Sequence, residues 1–135
     1  MLMIIDDKIL DELSAKAKAS SRLRMNLNFH QSLDEKCHRF LNAVEPGAEI
    51  PIHRHPTKEE SFILLRGRVR VSTYNDDGTL IESTVLDPLK GLYGVNIGKN
   101  VWHTIEALES SVIFECKEGP FVPHEVEGVL KVESL

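Results

Sequence analysis

The chain has 135 residues, 41% hydrophobic and 27% charged, enough for one globular domain and too few for two good ones. Lys plus Arg number 16 against 21 for Asp plus Glu, a net charge of −5, which argues against a general nucleic-acid binder with its basic patch. No apolar run approaches the ~18 residues of a membrane span. The apolar start Met1–Ile5 runs at once into Asp6-Asp7 without a positive n-region or a cleavage site, so no signal peptide is expected. Cys37 and Cys116 show neither CxxC spacing nor a disulfide framework, and a reducing cytoplasm is the expected location.

In chain order, residues 6–20 predict a helix. Asp6 or Asp7 can cap it, Ile9, Leu10, Leu13 and Ala17 recur at helical spacing, and Ser20-Ser21 offers a stop. From about residue 37 the pattern changes to short strands, expected at 37–44, 48–53, 60–66, 68–74, 80–86, 92–97, 101–106 and 110–117. Pro46-Gly47, Gly67, Asn75-Asp76-Asp77-Gly78, Asp87-Pro88 and Gly98-Lys99-Asn100 punctuate them. Alternation is cleanest over 68–74, where odd positions face inward. Phe62-Ile63-Leu64-Leu65 is apolar on both faces, which predicts cover on both sides and a partner for the helix. Asp76-Asp77-Gly78 is a hairpin signal. Many short strands at regular spacing predict an all-β sandwich or small barrel.

The densest chemistry lies between Gly47 and Glu60. His53 and His55 are two apart, so on a strand their imidazoles point to one side. A carboxylate from Glu59 or Glu60, after a turn at Pro56, can return beside them. Two His and a carboxylate make a metal site with open positions. His103, in Val101-Trp102-His103-Thr104-Ile105, is the downstream His inside a strand-like run and a candidate fourth ligand.

Gly47-x5-His53-x-His55-x4-Glu60-x6-Gly67 resembles the first motif of the cupin superfamily, and that spacing selects Glu60 over Glu59. The resemblance implies a jelly-roll β-barrel with an N-terminal α-helix, and one divalent metal held by His53, His55, Glu60 and His103. Zn, Fe, Ni or Mn all suit such a donor set. The second cupin motif is degenerate. Gly98 stands in the Pro place, Asn100 in a Gly place and Ala107 in the terminal Asn place, although Asn tolerates positive φ well enough to keep the turn.

A narrower resemblance covers most of the chain. Asn28-Phe29-His30, Arg39–Ala43, His53–Lys58, Val101–Ile105 and Phe114–Pro120 are similar to the WbuC family of small bacterial cupin metalloproteins, with His38 in the place of a Gln. That family is associated with O-antigen and other surface-polysaccharide gene clusters. The resemblance implies a metalloprotein that binds or modifies a small polar molecule, such as an anionic sugar derivative, and a homodimer. Either a metal-dependent sugar-modifying enzyme or a non-catalytic sugar- or carboxylate-binding module fits. A metal-free epimerase is disfavoured because the histidine pair is spent on metal.

An anionic ligand would need local cations against the net negative charge, and Arg24, His30, Arg39 and Lys58 are the candidate pocket residues. His38 and His124 are expected to be capped or exposed, Cys37 and Cys116 to be core residues, and Arg54 and Trp102 to face away from the barrel interior. The expected partition is a helix and covering segment over 1–36, a barrel over 37–123 and a tail over 124–135.

Overall fold

A computed structural model describes residues 1–121 and 128–130. The helix α1 (Asp7–Ala19) begins where an acidic side chain meets an apolar repeat. Asp6 is the N-cap, its carboxylate accepting from Ile9 N–H at 3.1 Å. Ten strands follow among the described residues, in two five-stranded sheets. The first sheet has the order β1 (Arg24–Asn28), β2 (Cys37–Val44), β9 (Ser111–Glu118), β4 (Glu60–Arg66), β7 (Gly94–Ile97). The second runs β10 (Val129–Leu130), β3 (Ile52–His53), β8 (Trp102–Ala107), β5 (Val69–Tyr74), β6 (Leu80–Leu86). All strand pairs are antiparallel, as expected of a jelly roll.

Alternation along each strand sorts side chains between two cores. Val44, Phe62, Leu64, Val69, Val71, Ile105 and Ile113 fill the space between the sheets at one end, leaving the other end for polar residues. Leu41, Ala43 and Val112 point outward from the first sheet and meet Leu10, Leu13 and Ala17 of α1. The hairpin between β5 and β6 turns where Asn75 N–H donates to the Thr79 carbonyl and Gly78 N–H to the Asn75 carbonyl.

Several expectations need correction. Strand β1 was not foreseen, because Arg24-Met-Asn-Leu-Asn28 alternates over too short a span between polar residues. The barrel draws strands from both flanking segments, since β1 pairs with β2 and β10 with β3. His124 lies outside the described residues. The strand expected over 48–53 is only Ile52–His53. Phe62 and Leu64 are buried, but Ile63 and Leu65 are exposed, so this strand is covered on one side. Its outer face is not the helix partner either, because α1 packs on β1, β2 and β9. Cys37 is exposed at the start of β2, and Cys116 is partly exposed on the same outer face. No helix among the described residues is long and apolar enough to cross a membrane.

Candidate metal centre

Backbone pairing assembles the polar end of the barrel. Strands β3 and β8 place His53 directly opposite His103, and the two rings lie 4.3 Å apart between centroids. His55 follows in the loop, where its carbonyl accepts from Asn100 N–H at 2.9 Å. Asn100 adopts φ 65, so the degenerate second motif keeps its left-handed turn and uses it to brace the loop of the first. Glu60 opens β4 in the other sheet and faces inward opposite Lys117. The last motif residue, Gly67, has φ 93, and a Cβ there would collide with Ser111 Oγ and the Ser110 carbonyl.

One ligand atom from each of His53, His55, Glu60 and His103 falls in a group whose members lie within 4.8 Å of one another. His53 is half-buried, and the other three are buried. Glu60 Oε1 is 2.5 Å from His103 Nε2 and 3.8 Å from His55 Nε2. The tautomers fit a metal. His53 Nδ1 donates to the Pro51 carbonyl and His103 Nδ1 to the Val101 carbonyl, each at 2.8 Å, and a carbonyl can only accept. The proton of each neutral ring therefore sits on Nδ1, leaving the Nε2 lone pair facing inward, the arrangement that metal-ligating histidines use. Three nitrogens and one carboxylate in this set could hold a divalent transition metal ion.

The same geometry sets the charges. Burial alone would push the Glu60 carboxyl up, but the contact with His103 and the charges of the other two histidines lower its pKa to about 2. Burial works against a charge on His103, yet Glu60 outweighs it and raises the imidazole above its ordinary value. Glu115, two residues before Lys117 on β9, is the reverse case. Burial and the nearby Glu60 charge raise it to about 8, so it holds its proton at neutral pH. Its Oε1 is 3.4 Å from Asn42 Nδ2.

These residues line one cavity of about 900 Å3 that also takes in Arg22, Arg24, Asn26, Phe40, Phe62 and Ile105. Of the four candidate pocket residues, Arg24 lines it. The other three lie elsewhere. Arg39 is exposed on the outer face of β2, because alternation turns Phe40 inward instead. His30 is buried, but it stacks on His38 at 4.2 Å and 7° and binds the Arg39 backbone. His38 is buried too, with Nε2 3.0 Å from the Leu33 carbonyl. Lys58 is buried and donates to the Pro120 carbonyl. Arg54 lies over the Trp102 ring at 4.2 Å, on the face opposite His103. Sequence reasoning missed Glu115, Lys117 and Arg22. Period-two alternation from Ile113 was the signal that could have found the first two.

Comparison with known structures places this architecture. The capsular polysaccharide assembling protein CapF from Staphylococcus aureus matches with a TM-score of 0.61 and 22% identity, over 90% of this chain and 29% of that one. KdgF from Halomonas sp. matches at 0.56 and 16%, over 73% of this chain and 82% of that one. A cupin superfamily protein from Desulfitobacterium hafniense matches at 0.57 and 10%, over 70% and 76%. The chain thus spans about 30% of the length of the CapF structures. Identities this low speak for the fold, and the fold is the cupin jelly roll. No curated protein matches the chain. A family model described as "Domain of unknown function (DUF6016)" matches residues 5–86, and the chain belongs to that family.

Proposed function

We propose that the chain is a cupin metalloprotein that holds one divalent transition metal through His53, His55, Glu60 and His103 and binds a small polar molecule beside it. The observation that carries this reading is the convergence of three imidazoles and one carboxylate at the wall of a cavity of about 900 Å3. Clefts of this size suit a small-molecule ligand. Bound there, the metal would supply Lewis acidity or an activated water at the positions the protein leaves open.

The chain's own residues supply the rest. The Pro51 and Val101 carbonyls fix the tautomers of His53 and His103, and Glu60 brings the negative charge that offsets a dication. Phe40, Phe62 and Ile105 give the cavity apolar walls that exclude water. Glu115 lines the same cavity and offers the ligand a hydrogen-bonding carboxyl group.

The ligand belongs, on this reading, to surface-polysaccharide metabolism. Two things support that placement: the WbuC-like stretches, and the fold likeness to a capsular polysaccharide assembling protein. Elemental analysis of protein purified without a metal-affinity tag tests the core of the proposal. One metal per chain is expected for the wild type and none for His53→Ala/His55→Ala, with circular dichroism confirming that the variant folds. Full occupancy in that variant overturns the ligand set. Iron in the wild type points to redox chemistry, and zinc to Lewis-acid chemistry.

A further inference from the structure

Most of the chain's arginines are neutralised. Arg54 lies 3.7 Å from Asp76, Arg66 bridges Asp7 and Asp11, Arg68 meets Glu109 and Arg70 meets Glu106. Arg22 and Arg24 differ. Neither makes an ion pair with a carboxylate among the described residues, and both line the cavity that holds the metal group. Arg24 Nε is buried without a hydrogen-bond partner among the described residues. Burial and the neighbouring Arg22 cation lower the Arg24 pKa from its ordinary value, a sign that the Arg24 charge is poorly solvated and feels the exposed Arg22 beside it. A guanidinium stays charged in proteins, so the strain of an uncompensated pair is relieved by an anion rather than by loss of a proton.

The local backbone holds the pair in place. Leu23, between them, sits at φ 56, its N–H donating to the Ser20 carbonyl at 3.0 Å and its carbonyl accepting from Glu45 N–H at 2.9 Å. In β1, Met25 and Leu27 pack beneath α1, so Arg24 and Asn26 share the opposite, cavity-side register. Arg24 pairs with Val44, whereas His38 of the same strand shares the row of Lys117 and Glu60. Six residues of strand separate those rows, roughly 20 Å along the sheet. The cavity lining therefore runs from the four possible metal ligands to the edge strand β1, where the two cations lie.

We infer that Arg22 and Arg24 form an anion subsite that takes the phosphate group of an elongated ligand whose far end reaches the metal group. The assignment rests on reading the cavity as a ligand site. Phosphate fits better than a carboxylate on two counts. Its double charge matches two cations, and its tetrahedral oxygens accept the paired N–H donors of two guanidinium forks at once. Lys117, on the inner face of β9, extends the positive wall toward Glu60.

Inorganic phosphate is the probe. Its binding to the full chain is measured by calorimetry after chelation of metal, for wild type, Arg22→Gln/Arg24→Gln, Arg24→Lys and His53→Ala/His55→Ala, each checked by circular dichroism. The wild type and the histidine variant are expected to bind phosphate alike. The double arginine variant should lose at least tenfold in affinity, Arg24→Lys should fall between, and acetate should bind the wild type more weakly than phosphate. Equal affinities for wild type and the double arginine variant overturn the subsite, as does a wild type that binds phosphate only when loaded with metal. Acetate binding as tightly as phosphate overturns the choice of phosphate. Failure of the metal reading shows separately, as a wild type that takes up no metal, and leaves the phosphate result standing by itself.

Discussion

Glu60 and Glu115 face the same cavity from neighbouring strands, and their surroundings drive them in opposite directions. Three histidines lower Glu60 to about 2, while burial and the Glu60 charge raise Glu115 to about 8. The consequence for stability follows from the sign of the second shift. A carboxyl whose folded pKa exceeds its ordinary 4.5 keeps a proton that the unfolded chain has released. Its contribution is present in full below about 4.5 and is lost as pH rises through about 8. Each unit of pKa is worth about 1.4 kcal/mol, and partial solvent contact in the open cavity reduces the total to on the order of 1–3 kcal/mol. In chelator-treated protein, Glu115→Gln should therefore be more stable than wild type by that amount at pH 9 and indistinguishable at pH 4. Urea denaturation at both pH values checks it, and parallel curves for the two proteins would mean that Glu115 ionises freely. Glu60 could be read from its spacing to His55 and Gly67. Alternation from Ile113 could have placed Glu115 on the inner face, but nothing within a few residues of it reveals the carboxylate on β4 that shifts it.

At the scale of elements, the helix illustrates how far periodicity carries. Capping by Asp6 and the apolar stripe Leu10, Leu13, Ala17 are local properties, and both hold in the structure. The surface that the stripe covers is set by strand order instead. It lies on Leu41, Ala43 and Val112, residues from strands almost 70 positions apart in the chain. Leu13 is 5% exposed in that layer, and Leu13→Ala should cost about 2–4 kcal/mol through lost burial and an unfilled cavity. Metal uptake should stay as in the wild type, because α1 packs on the outer face of the sheet whose inner face carries Glu60. Chemical denaturation together with metal analysis separates the two effects. A loss below 0.5 kcal/mol on the same scale would mean that the helix is only loosely docked.

For the whole molecule, the net charge of −5 repels an anionic ligand at long range, so capture depends on the cations inside the cavity. Salt should then weaken phosphate binding mainly through exposed Arg22, as the half-buried Arg24 charge is less screened. Assembly is the other property at this scale. The cupin resemblance implies a homodimer, and exposed Ile63, Leu65, Leu92 and Tyr93 on and beside β4 offer apolar surface for a second copy to bury. Light scattering at high concentration should give twice the chain mass of 15.2 kDa, and a mass of one chain would remove the dimer.

The sequence by itself determined what depends on short spacing. Alternation and turn residues placed most strands, and the His-x-His-x4-Glu array pointed to the candidate ligands because only a strand end and a short loop separate His53 and His55 from Glu60 at the start of β4. The tertiary structure alone decided what depends on which strands become neighbours. The sequence had already named His103 and Arg24, and pairing of β3 with β8 brings His103 across from His53; the β1–β2–β9–β4 order is what brought Glu115 and Lys117 to the same cavity as Glu60 and Arg24. Arg39 and Lys58 shared the recognisable stretches yet went elsewhere, one to the outer face and one to the Pro120 carbonyl. A one-residue step along a strand reverses the face of a side chain, so proximity in sequence to a motif is no measure of proximity to its chemistry.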